Sequence, residues 1–254
     1  PRVSRAGTAY KDLLAYHFVK HPWALILDGD EFLVLAPGLK NLSEVFSAID
    51  SESDVLGAQM VDMLPEEWPL GNQVNPPKTF SDLVSLYPLF KPSRAWSRSG
   101  TEVLWDQDCN AISDLFRYFE IYSGRRGFRT LKRLVRPLLP GIRSFPRSDV
   151  VKVPLVGPFH RDLFRDTHSV SAPRAGPIIL SVAHFTMTHE FKKKIDAYTG
   201  ERVGKWKFDA WSRYEAYSRL LLTMSAEKKF DFSKMALSTF EGPESFYESG
   251  FFEK

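Results

Sequence analysis

The most constraining stretch of this chain is Trp23-Ala24-Leu25-Ile26-Leu27-Asp28-Gly29-Asp30-Glu31, a short apolar run that stops abruptly in closely spaced carboxylates. Such a run, bounded by acid, predicts a buried strand whose carboxyl end opens on a site. Carboxylates this close repel one another, and a cation relieves the repulsion. A hard divalent ion, Mn2+ or Mg2+, prefers oxygen donors and keeps positions for water and phosphate, so two protein carboxylates plus a diphosphate complete its shell. Gly29, lacking a Cβ, is expected to let the backbone curl and bring Asp28 and Asp30 to one ion.

The flanking pattern predicts an α/β fold. Helical spacing over residues 8–19 ends at His21-Pro22, the acidic strand follows at once, and a helix at 42–49 leads to a second apolar run at 55–63. The proline-rich residues 64–100 predict a long surface excursion. Helices are expected at 111–121 and 125–136, and strands at 151–156 and 177–183. Beyond these, Phe191, Ile195 and Tyr198 share one helical face, as do Trp211, Tyr214, Ser218 and Leu221 on the next helix. Without repeat or linker, the expectation is one domain over 1–254, with an α/β core at about 8–185 and a C-terminal helical part at about 186–254. The hydrophobic content, 43% of the chain, is enough for one such core.

The acidic stretch, continued through Phe32-Leu33-Val34, resembles the W-x-L-x-L-D-x-D-E-F-L-V segment of bacterial proteins similar to glycosyltransferase family 2. Weaker matches keep the family's order. Val61-Asp62-Met63-Leu64-Pro65 resembles V-D-M-Y-P, Ser123-Gly124-Arg125-Arg126 resembles G-G-x-R, and Lys152-Val153-Pro154-Leu155-Val156 matches K-V-P-L-V. Thr167-His168-Ser169 matches T-H-x, and Ala183-His184-Phe185 matches L-H-F-K without its lysine. The resemblance implies a GT-A-like, Rossmann-like mixed sheet flanked by helices, with an Asp-x-Asp metal bridging protein and nucleotide-sugar diphosphate. It puts Asp28 and Asp30 on the metal and the sugar nucleotide, and adds Arg125 and Arg126 to the nucleotide-sugar contacts. In that family a strand and loop holding base and ribose precede the helix matched here by 8–19. An N-terminally truncated chain, with natural sequence upstream of Pro1, is therefore expected; the alternative is a copy that binds the donor poorly.

His184 follows an apolar strand, where an imidazole completes a metal shell, contacts phosphate, or sits as a core-edge histidine bonded to backbone. His168 is placed in a loop, while His17, His21, His160 and His189 read as structural or solvent-facing. Residues 125–136 form a basic amphipathic pattern, with Phe128, Leu131, Leu134 and Val135 opposite Arg126, Arg129, Lys132, Arg133 and Arg136. It reads as an ordinary surface helix or as one that lies on anionic lipid. Lys192-Lys193-Lys194 reads as a solvated face, and Trp206, Trp211, Tyr214 and Tyr217 as core.

The functional expectation is a metal-dependent glycosyltransferase moving a sugar from a nucleoside diphosphate donor to a glycan or lipid-linked hydroxyl acceptor, with inversion. Inversion needs a carboxylate base. Asp62 is the candidate, with Asp106 and Asp108 behind it, and Glu31 orients the metal shell or receives a proton. The alternatives are a metal-dependent phosphohydrolase and a non-catalytic module that binds carbohydrate or a membrane surface. The net charge of +3 is too mild to demand a nucleic-acid partner. Cys109 is the only cysteine, which excludes an internal disulfide and predicts a reducing, cytoplasmic setting, with peripheral contact at the inner membrane face through the basic helix.

Overall fold

The structure, a computed structural model, describes residues 23–49, 53, 55–68, 77–99, 102–106, 109–121, 151–156, 176–199, 209–226 and 230–253. The helix expected at 8–19, the basic helix at 125–136 with Arg125 and Arg126, and His17, His21, Asp108, His160, His168 and Trp206 lie outside these residues.

In chain order the strands are β1 (Ala24–Leu25), β2 (Glu31–Leu35), β3 (Val55–Asp62), β4 (Glu67–Trp68), β5 (Leu89–Phe90), β6 (Trp96–Ser99), β7 (Glu102–Trp105), β8 (Val151–Val156), β9 (Leu180–His184), β10 (Phe230–Asp231) and β11 (Ser238–Thr239). The helices are α1 (Leu42–Ala48), α2 (Phe80–Leu86), α3 (Ala111–Tyr118), α4 (His189–Thr199), α5 (Asp209–Ala226) and α6 (Pro243–Glu248). The class is α/β, built on a mixed five-stranded sheet of order β1-β8-β3-β9-β2. β3 runs parallel to β9 and antiparallel to β8; β1 and β2 close the two edges antiparallel to β8 and β9.

β1 and β2 are the sheet's opposite edges, yet only residues 26–30 separate them. Six residue steps reach at most roughly 20 Å even when fully extended. Five flat strands are about as wide, at ~4.8 Å per strand spacing. A connection that also makes a turn reaches less, so the sheet curls and residues 26–30 cross its end.

The two faces follow the period of two. On β3 and β9, Leu56, Ala58, Leu180 and Val182 pack with Val45 of α1, while Val61 and Ala183, with Met63 and Phe185 just past the strand ends, pack with Phe90, Phe240, Phe246 and Phe251. β3 is buried along its whole length, as a central strand covered on both faces must be. A separate cluster joins α3, α4 and α5, where Tyr217 packs against Phe116 and Phe191 at centroid distances of 5.2 and 5.0 Å.

Three sequence expectations change. The proline-rich residues 64–100 are not simply a surface excursion: their described part holds β4, β5, β6 and the capped helix α2. The stretch after 186 is helical only in part, because β10 and β11 pair back onto β4 and β5. On α5 the stripe is wider than the line through Tyr214, Ser218 and Leu221: Leu221 is buried and Tyr214 packs against the same cluster as expected, and Tyr217, Leu220 and Met224 join them, Tyr217 being the ring that meets α3 and α4. On α4, Phe191 and Ile195 are buried as expected, and Lys192 and Lys193 are exposed beside Asp196 and Glu190. Among the described residues, no helix is long and apolar enough to cross a membrane.

Candidate functional site at the end of the central strand

β1 ends at Leu25, but Ile26 still donates its N–H to the Pro154 carbonyl at 2.8 Å before the chain leaves β8. The acidic turn then closes on itself. Glu31 N–H donates to the Asp28 carbonyl at 3.1 Å, and Asp28 N–H donates to Glu31 Oε2 at 2.8 Å. The Asp30 carbonyl accepts the Phe185 N–H at 2.9 Å, which ties the turn to the end of β9. Gly29 is not the cause of the bend. It has no positive φ, and a Cβ built there meets nothing within 4 Å; the hydrogen bonds form the turn.

Lys152 is the residue that sequence reasoning missed. Its side chain is 1% exposed, and its ammonium donates to Asp28 Oδ2 at 2.9 Å and to Glu31 Oε1 and Oε2 at 2.9 and 2.8 Å. The cation that the acidic turn demands is thus supplied in part by the chain itself. A bulge aims it. Leu155 pairs with Leu56 and Lys152 with Ala58, so Val153 and Pro154 together oppose the single residue Gly57. The extra residue reverses the alternation along β8 and puts Lys152 on the same face as Leu155 and Ala58. Pro154, which has no N–H to give, is tolerated at such a bulge. The available signal was a lone lysine inside the otherwise apolar string Val151-Lys152-Val153-Pro154-Leu155-Val156.

Asp62 and His184 end β3 and β9 in register with each other, and Glu31 opposes His184 from β2. His184 Nδ1 donates to Asp62 Oδ1 at 2.8 Å; Nε2 lies 3.9 Å from Asp30 Oδ2 and 3.0 Å from the Thr186 hydroxyl. Burial disfavours the charged ring. The hydrogen bond to Asp62 and the negative charge of Asp62, Asp30 and Glu31 outweigh it, so the His184 pKa stands above its ordinary value. Asp62 Oδ2 is buried and has no hydrogen-bond partner among the described residues.

The sequence-nominated Asp28, Asp30, Glu31, Asp62 and His184 therefore converge at one end of the sheet. Asp106 lies in the turn after β7 beside Cys109 instead. Asp28 and Asp30 keep 38% and 30% of their side-chain surface, whereas Glu31 is enclosed with Lys152. Among the described residues, the carboxylates of Asp28, Asp30, Glu31 and Asp62 gather around Lys152 and His184. Among the described residues no three His, Cys, Asp or Glu side chains are grouped to hold an ion alone, so an ion there needs phosphate or water for most of its shell.

No protein-family model, curated protein or solved structure matches this chain.

Proposed function

We propose that the chain is a GT-A-like, metal-dependent glycosyltransferase that moves a sugar from a nucleoside diphosphate donor to a hydroxyl acceptor. The observation that carries this reading is the placement of two partly exposed carboxylates, Asp28 and Asp30, on a turn crossing the end of β3, beside the buried pair Asp62 and His184. Ligand sites of α/β sheets lie outside the carboxyl ends of their strands.

Asp28 and Asp30 would hold Mn2+ or Mg2+, which when bound supplies Lewis-acid stabilisation of charge on the departing diphosphate. Glu31 is turned inward onto Lys152 and the Asp28 N–H, a placement that favours shaping the turn over receiving a proton. His184 holds Asp62 with Nδ1, and a ring biased toward its charged form favours electrostatic contact with Asp30 or a phosphate over metal ligation. Asp62 remains the candidate base; its second oxygen is buried and has no hydrogen-bond partner among the described residues. Arg125 and Arg126 would add charge on the donor, and the basic helix would bring the enzyme to a lipid-linked acceptor at the inner membrane face.

The test is turnover of nucleoside diphosphate sugars with Mn2+, Mg2+ or a chelator, with and without acceptor. Metal-dependent transfer to acceptor is the expected result. Metal-dependent hydrolysis alone would make the chain a phosphohydrolase, and no turnover with retained carbohydrate or vesicle binding would make it a binding module.

A further inference from the structure

The sequence of β8 and its observed pairing point to different registers. Val153 and Leu155 alternate with Lys152 and Pro154, a period of two that would set Val153 on the Leu155 face, opposite Ala58, and Lys152 on the other face, opposite Gln59. The bulge interrupts the ladder to β3 and puts Lys152 opposite Ala58 instead. Gln59 would be a poor neighbour for an ammonium. It is neutral, and its amide already bonds the Ser93 carbonyl and the Ala95 N–H, each at 2.9 Å. On the face it occupies, Lys152 reaches past β3 and β9 to Glu31 on the edge strand β2, and both side chains are 1% exposed. Asp28 also accepts from the ammonium at 2.9 Å but stays 38% exposed, so the enclosed partner is Glu31.

We propose that the Lys152–Glu31 ion pair selects the register of β8: the strand takes the bulge because that placement brings a buried ammonium to a buried carboxylate, and without the pair it relaxes to regular alternation. Fixing one register against a rival is the best-attested use of a buried polar pair, and here the rival is written into β8 itself. With the pair removed, either register offers the Leu155 face an apolar residue, and only the regular one keeps the ladder whole. The inference concerns the sheet that carries the turn and rests neither on a bound ion nor on sugar transfer.

The experiment compares the parent chain, Lys152→Met and Lys152→Met/Glu31→Gln by thermal unfolding, and the parent with the double variant by NMR, where cross-strand Overhauser effects from Ala58 report which residue of β8 stands opposite it. Lys152→Met should melt about 10 °C lower, because it strands the buried Glu31 charge. The double variant, in which a glutamine still accepts the Asp28 N–H, should regain at least half of that loss. Ala58 should face residue 152 in the parent and Val153 in the double variant. If Lys152→Met does not fold, that is the same loss in full, and the double variant still gives both readings. Lys152→Met melting with the parent would overturn the proposal, since the pair would then carry no weight. A double variant that keeps residue 152 opposite Ala58 would overturn it too, assigning the bulge to Pro154 and to packing. So would a double variant that does not fold, because the loss would not then come from the Glu31 charge.

Discussion

His184 Nδ1 donates to Asp62 Oδ1 across 2.8 Å, joining the carboxyl ends of two parallel neighbouring strands by a charge-assisted bond under the acidic turn. Asp62 is fully enclosed, and its other oxygen has no partner among the described residues, so the ring is what offsets its charge. Asp62→Ala should therefore destabilise the fold by about 2–3 kcal/mol, the range for losing a buried hydrogen bond to a charged group. Asp62→Asn keeps the shape and an acceptor and should cost less. Urea unfolding of both variants measures the difference; equal, negligible losses would show that the pair does not hold the strand ends.

Asp30 differs from Asp62 in being partly exposed and in facing His184 only at 3.9 Å. Asp30→Ala should change stability by less than about 1 kcal/mol, as expected for a partly solvated ionic contact. The same change should abolish Mn2+-dependent nucleoside diphosphate binding. Calorimetric titration with the diphosphate, with and without Mn2+, reads this directly, and unchanged metal-dependent binding would remove Asp30 from the site.

What could be read from the chain depended on how local each cause is. β3, β8 and β9 fall where apolar runs predict strands at 55–63, 151–156 and 177–183, because a strand covered on both faces carries its signal in every residue. Asp62 and His184 were legible as polar residues ending such runs. The role of Lys152 was not, since it depends on a one-residue offset against Gly57 on another strand. The two-residue strands β4, β5, β10 and β11 are too short to show any period, and their pairings join segments far apart in sequence. Gly29 misled for the opposite reason: glycine in a turn suggests a backbone need, while the turn is held by side-chain and backbone hydrogen bonds.

The C-terminal segment supplies a pH test. Arg98 bonds both oxygens of Glu253, through Nε at 2.5 Å and Nη2 at 2.7 Å, and Ile178 N–H adds a third bond at 3.1 Å. Burial raises the Glu253 pKa, but these bonds and the Arg98 charge outweigh it and hold it below the ordinary 4.5. A depressed carboxylate contributes stability that is fully present above its unfolded value and is lost as pH falls through its folded value. The parent should thus lose stability relative to Glu253→Gln as pH drops below about 4.5. Parallel urea midpoints for the two proteins across that range would contradict the assignment.

Two glycines give opposite predictions from the same substitution. At Gly176 an added Cβ would stand 2.6 Å from Leu56 Cδ2 and 2.9 Å from Ser53 Oγ, where the Gly176 N–H already bonds the Val55 carbonyl at 2.9 Å. Leu56 is fully buried and cannot withdraw without opening the sheet face that α1 covers, so Gly176→Ala should cost about 1–3 kcal/mol as an overpacked core. At Gly29 the added methyl meets nothing, and the backbone is already in a region that any residue adopts. Gly29→Ala should leave the unfolding free energy from urea titration within about 0.5 kcal/mol of the parent. If the open side of the turn admits a diphosphate, the methyl will instead weaken Mn2+-dependent nucleoside diphosphate binding. A stability loss at Gly29 equal to that at Gly176 would mean that the turn needs glycine for its own shape, and that its hydrogen bonds to Glu31 follow from the bend and do not cause it.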